Sequence, residues 1–203
     1  MVMNTDIANW ALIKIGESPI SSTNQQPLGK ILDIVYDEVR LQLLSSYPWR
    51  FAIKRTTLPH LAEDSDNPRF KYKFSLPSDC LLLRGVSESH HSADLRDYKI
   101  DSGTRYEIAG KEIYAHTDTL YIVYVADVDD TFYTHNFKEA FANKLAAELS
   151  IKVHQNLNLV ELYEQKFQMS LQQAIQHNEI EADTEELPEN SWLAIREGWQ
   201  NVY

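Results

Sequence analysis

Leu43-Leu44-Ser45-Ser46-Tyr47-Pro48-Trp49-Arg50-Phe51-Ala52-Ile53 is the stretch at which the periodicity of the chain changes. Upstream, Leu28, Ile31, Leu32, Val35, Val39 and Leu43 recur at three- and four-residue steps, the spacing of a helix with one apolar face. Lys30, Asp33, Asp37 and Arg40 lie opposite that stripe. Pro27 suits the first turn, where a missing N–H costs nothing. Gly29 weakens the start by about 1 kcal/mol relative to Ala, so the helix begins at Pro27 or just after Gly29. Pro48 ends it, because proline cannot donate to the helical ladder. From Trp49 the residues favour extended chain: Phe51, Ile53, Thr56 and Thr57.

Toward the N-terminus, Ile7, Ala8, Ala11, Leu12 and Ile15 mark a first helix over Asn4–Ile15, with Asn4 or Thr5 as cap and Gly16 as stop. Working toward the C-terminus, Phe70, Tyr72 and Phe74 alternate with Lys71 and Lys73, the two-residue period of a half-buried strand. Pro77-Ser78-Asp79 turns the chain into a strand at Cys80–Val86. Tyr98–Ile100, Arg105–Ile108 and Glu112–Tyr114 are further short strands, with turns at Ser102-Gly103 and Ala109-Gly110. Leu120–Val125 is apolar at every position, so both of its faces are expected to be covered. Short connections favour an antiparallel sheet.

Two helices follow. Asn136 with Glu139, and Asn158 with Glu161, have the spacing of capping boxes. Phe137, Phe141, Leu145, Leu149 and Val153 line the first. Val160, Tyr163, Phe167, Leu171 and Ile175 line the second. The short break near Asn156 predicts an antiparallel pair.

The composition is that of a folded protein: 43% hydrophobic residues, six glycines and seven prolines in 203 residues. No apolar run approaches the roughly 20 residues of a membrane-spanning helix. The first residues show no basic-then-apolar signal pattern. The expectation is therefore a soluble protein made in the cytoplasm. A formal net charge of −11 argues against a reader of nucleic-acid sequence, whose affinity rests on Lys and Arg. It suits a surface past which DNA slides without being held.

Cys80 is the only cysteine, so intrachain disulfides and multi-thiolate zinc sites are excluded. His90 and His91 are adjacent, so in a helix or strand they would point in different directions, while His60, His116, His135, His154 and His177 are scattered, so no metal site is expected. No nucleophile elbow, phosphate-cradling loop or dinucleotide fingerprint occurs. The expectation is no enzyme and no cofactor. Phe70, Tyr72 and Phe74 read as a strand's core face, with base or sugar stacking as the alternative. Glu179, Glu181, Asp183, Glu185, Glu186 and Glu189 form an acidic run, followed by Trp192, Leu193, Ile195, Trp199 and Tyr203. Those aromatic and aliphatic residues either anchor a docking arm or fold back on the core.

Several segments resemble, in order, phage tail tubular protein A and related head-to-tail connector proteins. They are Ile15-Gly16-Glu17-Ser18-Pro19-Ile20; Tyr47-Pro48-Trp49-Arg50-Phe51-Ala52; Phe74-Ser75-Leu76-Pro77-Ser78-Asp79-Cys80-Leu81; Tyr106-Glu107-Ile108 with Gly110 and Ile113, then Leu120-Tyr121-Ile122-Val123-Tyr124; and Phe137-Lys138-Glu139-Ala140-Phe141 leading to Leu145-Ala146-Ala147-Glu148-Leu149. Together they span about residues 7–180, and the acidic tail lies outside the match. The resemblance implies an α+β fold: an antiparallel helical bundle from residues 1–49 and 133–180 with an inserted antiparallel β domain at 50–130; composition alone adds an extended acidic C-terminal arm at 181–203. It implies a structural protein of the virion that needs no cofactor. A homo-oligomeric ring, a dodecamer in this family, would sit between the portal protein and the tail nozzle, with DNA passing through its lumen. On that reading the arm residues Trp192, Leu193, Ile195, Trp199 and Tyr203 dock the portal. The alternatives are a carbohydrate-active or carbohydrate-binding tail component and an acidic regulatory binding protein.

Overall fold

The computed structural model describes residues 5–20, 27–61, 65–88 and 105–180. They form four helices and two three-stranded antiparallel sheets. The helices are α1 (Thr5–Lys14), α2 (Pro27–Ser46), α3 (His135–Leu149) and α4 (Leu157–Ile180). The strands are β1 (Ile53–Pro59), β2 (Tyr72–Ser75), β3 (Cys80–Ser87), β4 (Tyr106–Ala109), β5 (Glu112–Ala115) and β6 (Thr119–Ala126). The expected strand at Tyr98–Ile100 and its Ser102-Gly103 turn lie outside the described residues.

α1 ends as Gly16 dictates. Gly16 takes φ +84°, and the Glu17 N–H reaches back to the Leu12 carbonyl at 2.9 Å while the Gly16 N–H reaches Ile13 at 3.1 Å. This pair of bonds is a Schellman motif, which satisfies carbonyls that the helix leaves open. The chain then folds back. The Asn9 side-chain amide donates to the Ile20 carbonyl at 3.0 Å and accepts its N–H at 2.7 Å. Ile7, Ala8, Ala11, Leu12 and Ile15 are buried, as their spacing predicts.

α2 starts at Pro27 and carries Gly29 within its first turn. Its buried face is Leu32, Val35, Tyr36, Val39, Leu43 and Leu44. Two sequence expectations are corrected here. Ile31 is partly exposed at the edge of the stripe, and Arg40, expected opposite the apolar face, is 4% exposed. A salt partner brought in from β6 makes that burial tolerable, as described below.

After Pro48 the chain makes a 3-10 turn at Arg50–Ala52 before β1, so the strand begins later than Trp49. Trp49 is buried, donates its indole N–H to the Leu43 carbonyl at 2.8 Å, and stands edge-on to Phe137 with centroids 4.9 Å apart. Phe51, Tyr133, Phe137 and Phe141 continue this aromatic seam into α3.

The strands form two sheets rather than one, with orders β1-β6-β3 and β2-β5-β4. β6 is central, and its run of apolar residues is buried on both faces from Ile122 to Ala126. Gly110, at φ +64°, sits in the two-residue turn that closes the β4–β5 hairpin. The simple alternation expected of β2 does not hold: Phe74 is fully buried, but so is most of Lys73. The sheets adjoin where the Leu61 N–H donates to the Lys73 carbonyl at 2.8 Å.

α3 is packed on by α1, α2 and α4. Its cap is Thr134, whose hydroxyl accepts the Phe137 N–H, not Asn136. At α4 the cap is Asn156, which accepts the Asn158 N–H at 3.1 Å, not Asn158 itself. Between them a π-helical turn at Ser150–His154 and Gln155 at φ 50° reverse the chain. Both caps sit two residues earlier than the capping-box pattern placed them. The core is one continuous set running from Ile7 in α1 through Phe74 and Ile122 in the sheets to Phe167 in α4. Among the described residues, no helix is long and apolar enough to cross a membrane.

Candidate interaction surfaces

The residues singled out for docking (Trp192, Leu193, Ile195, Trp199 and Tyr203) lie outside the described residues. What the structure does give is the end of α4, the last described element before them. The Arg50 N–H donates to the Asn178 side chain at 2.8 Å, and the Arg50 Nε to the Asn178 carbonyl at 3.2 Å. The Tyr47 hydroxyl donates to Glu179. The last turn of α4 is thus fastened to the step between α2 and β1. Asn178 is buried, and sequence reading gave no sign of its role.

A second polar cluster joins the helices to the first sheet. Arg40 of α2 forks onto Asp127, just past β6, with Nη1 on Oδ1 and Nη2 on Oδ2 at 3.3 Å. Its Nε also donates to Asp37 at 3.3 Å. Burial works against the Arg40 charge, but Asp127 and Tyr133 outweigh it and hold the pKa above its ordinary value. Burial pushes the Tyr133 hydroxyl up to about 12, against the opposing effect of Arg40. The Asp127 N–H donates to the Asp79 carbonyl at 2.7 Å. The Asp79 carboxylate in turn accepts from Lys54 at 2.7 Å and from the Tyr124 hydroxyl at 3.1 Å. The Lys54 hydrogen bond lowers the Asp79 pKa. Beside it, burial first and the Asp79 charge second raise the Cys80 thiol, so the thiolate is disfavoured.

Two helix surfaces stand out for what they leave uncovered. On α2, Ile34 is 67% exposed, with Ile31 and Leu41 also in solvent. On α4, Met169 is 64% exposed and Leu162 is exposed too. From Gln165 to Asn178 the only Asp, Glu, Lys or Arg in α4 is Lys166. In a chain of net charge −11 so long a charge-poor helical surface is unusual, and depletion of charge marks the centre of protein interfaces.

The row Phe70, Tyr72 and Phe74 divides. Phe74 is core, whereas Phe70 and Tyr72 are half-buried, with His116 against Phe70 at 5.1 Å and His60 against Tyr72 at 4.7 Å. Among the described residues, no group of three or more His, Cys, Asp and Glu side chains is placed to hold a metal ion. No protein-family model matches the chain, and no curated protein matches it.

Proposed function

We propose that the chain is a structural head-to-tail adaptor of a tailed bacteriophage, one subunit of a ring between the portal and the tail nozzle, and not an enzyme. The observation that supports this reading best is architectural. α1, α2 and α4 all pack on α3, while the strands lie between α2 and α3 in the chain. We read this as a helical bundle carrying an inserted β domain, the layout that the resembling segments imply.

Three of those segments also fall at structural joints. Ile15–Ile20 forms the helix stop that Asn9 clamps. Trp49–Ala52 forms the step from helix to sheet. Leu76–Leu81 forms the turn that presents Asp79 to Lys54 and Asp127. Resemblance at load-carrying turns is harder to reach by chance than resemblance along helix surfaces, where many sequences serve. Uncovered apolar residues on two different helices suit a subunit that meets a neighbour on each side, as closed rings require.

Residues 181–203 are assigned to portal docking, through Trp192, Leu193, Ile195, Trp199 and Tyr203. A truncation after Asp183 is expected to keep its circular dichroism spectrum and to lose capture by the portal protein encoded with it. Undiminished capture by the truncated chain would sink the docking assignment.

A further inference from the structure

The two uncovered helix surfaces match one another position by position. On α2 the outward seam reads Ile31, Ile34, Glu38, Leu41, with steps of three, four and three residues. On α4 it reads Leu159, Leu162, Lys166, Met169, with the same steps in the same order, Leu159 being half-buried against the core at the end of the seam. Such alternating steps of three and four are those of a two-helix seam, in which equivalent positions of parallel helices form layers. Each seam spans about 15 Å at 1.5 Å per residue. Laid parallel, the layers become Ile31 with Leu159, Ile34 with Leu162, Glu38 with Lys166, and Leu41 with Met169. Three layers are apolar, and the fourth pairs opposite charges. Laid antiparallel, Glu38 and Lys166 fall in different layers, and each charge faces an apolar side chain.

We infer that α2 of one copy docks in parallel against α4 of the next, with Glu38 and Lys166 meeting across the contact. Within one chain the two surfaces do not cover each other: Ile34, Leu41, Leu162 and Met169 are all exposed. Glu38 and Lys166 are exposed as well. A charged layer in an otherwise apolar seam fixes register and direction, because any slip leaves each charge against an aliphatic side chain. The contact uses a different surface on each partner, so it is heterologous and propagates until a rotation closes it. The inference deepens the ring reading by naming the two faces that would build the ring.

Cysteine trapping tests it, in a Cys80→Ser background and with the full chain both free and bound to portal. The pair Leu41→Cys with Met169→Cys places both thiols in one parallel layer, within the Cα separation that a disulfide needs. Mild oxidation is expected to give a ladder of linked multimers, whereas Leu41→Cys with Leu162→Cys, which are not in one parallel layer, gives none. Adding Glu38→Lys is expected to cut the yield about tenfold through like-charge opposition, and adding Lys166→Glu to that variant to restore it. A ladder on protein that leaves portals bare would uphold this contact while removing the adaptor reading. Rings on portals with no Leu41–Met169 ladder, or a yield indifferent to both charge reversals, would overturn the contact and leave the adaptor reading standing. Portal capture abolished by Ile34→Arg, with no ladder in either state, would give the α2 stripe to the portal and overturn it as well.

Discussion

Asp79 carries more of the joint between helices and sheets than its place in a turn suggests. Its carboxylate takes Lys54 and Tyr124, and its carbonyl takes the Asp127 N–H. Because the folded-state pKa is lowered, its contribution is present above the unfolded carboxylate value of about 4 and is lost as pH falls through the folded value. Urea midpoints of wild type and Asp79→Asn are therefore expected to differ most near neutrality and to converge at acid pH. A gap that stays constant with pH would contradict the account. Arg40 is the buried partner of the same joint. Asp127→Asn leaves that guanidinium against a neutral amide and is expected to cost about 2 kcal/mol, below the range for fully buried pairs because Asp127 is partly solvated. None of this was legible in the sequence, where Arg40 shares the polar side of a helix and its partner lies 87 residues away. Trp49, by contrast, could be read directly as the point where helix gives way to sheet. Its truncation to Ala is expected to cost about 3 to 5 kcal/mol in chemical denaturation, from lost burial, cavity and aromatic contacts.

At the level of elements, periodicity located all four helices, because each buries one recurrent face, and the strands were legible from alternation, turn residues and, for β6, a run apolar at every position. Their ends were less legible. Thr, Asn, Ser and Asp all cap, so Thr134-His135-Asn136 offers two candidates, and only the position of the Phe137 N–H decides for Thr134. Thr134→Ala is expected to cost about 1 kcal/mol, while Asn136→Ala is expected to leave thermal stability nearly unchanged. The turn between α3 and α4 holds Gln155 in the left-handed region, which side chains other than glycine occupy at a cost of about 1 to 2 kcal/mol. Gln155→Gly is thus expected to stabilise the chain by about 0.5 to 1 kcal/mol, after the extra entropy that glycine loses. Pairing order is also hidden from a single strand's pattern. β2, β4 and β5 read as members of one sheet, yet they form their own, because β6 already has β1 and β3 on its two edges.

For the molecule as a whole, α3 is the element on which the other helices converge, and one core runs from it into both sheets. Such a body holds its two outward helix seams at a fixed relation, which a ring subunit needs if each contact is to repeat the last. The net charge of −11 fits a wall that DNA passes without adhering. The candidate arm was legible in the sequence as an acidic run followed by Trp192, Trp199 and Tyr203, and the structure shows the end of α4 held at Asn178 and Glu179. The adaptor claim is tested most directly by mixing the purified chain with the portal protein encoded with it. The product would be imaged by negative-stain electron microscopy, with its mass measured in parallel. A ring adaptor adds an annular layer at one end of the portal, with a mass increment of a whole number of chains. Bare portals at saturating protein would contradict it.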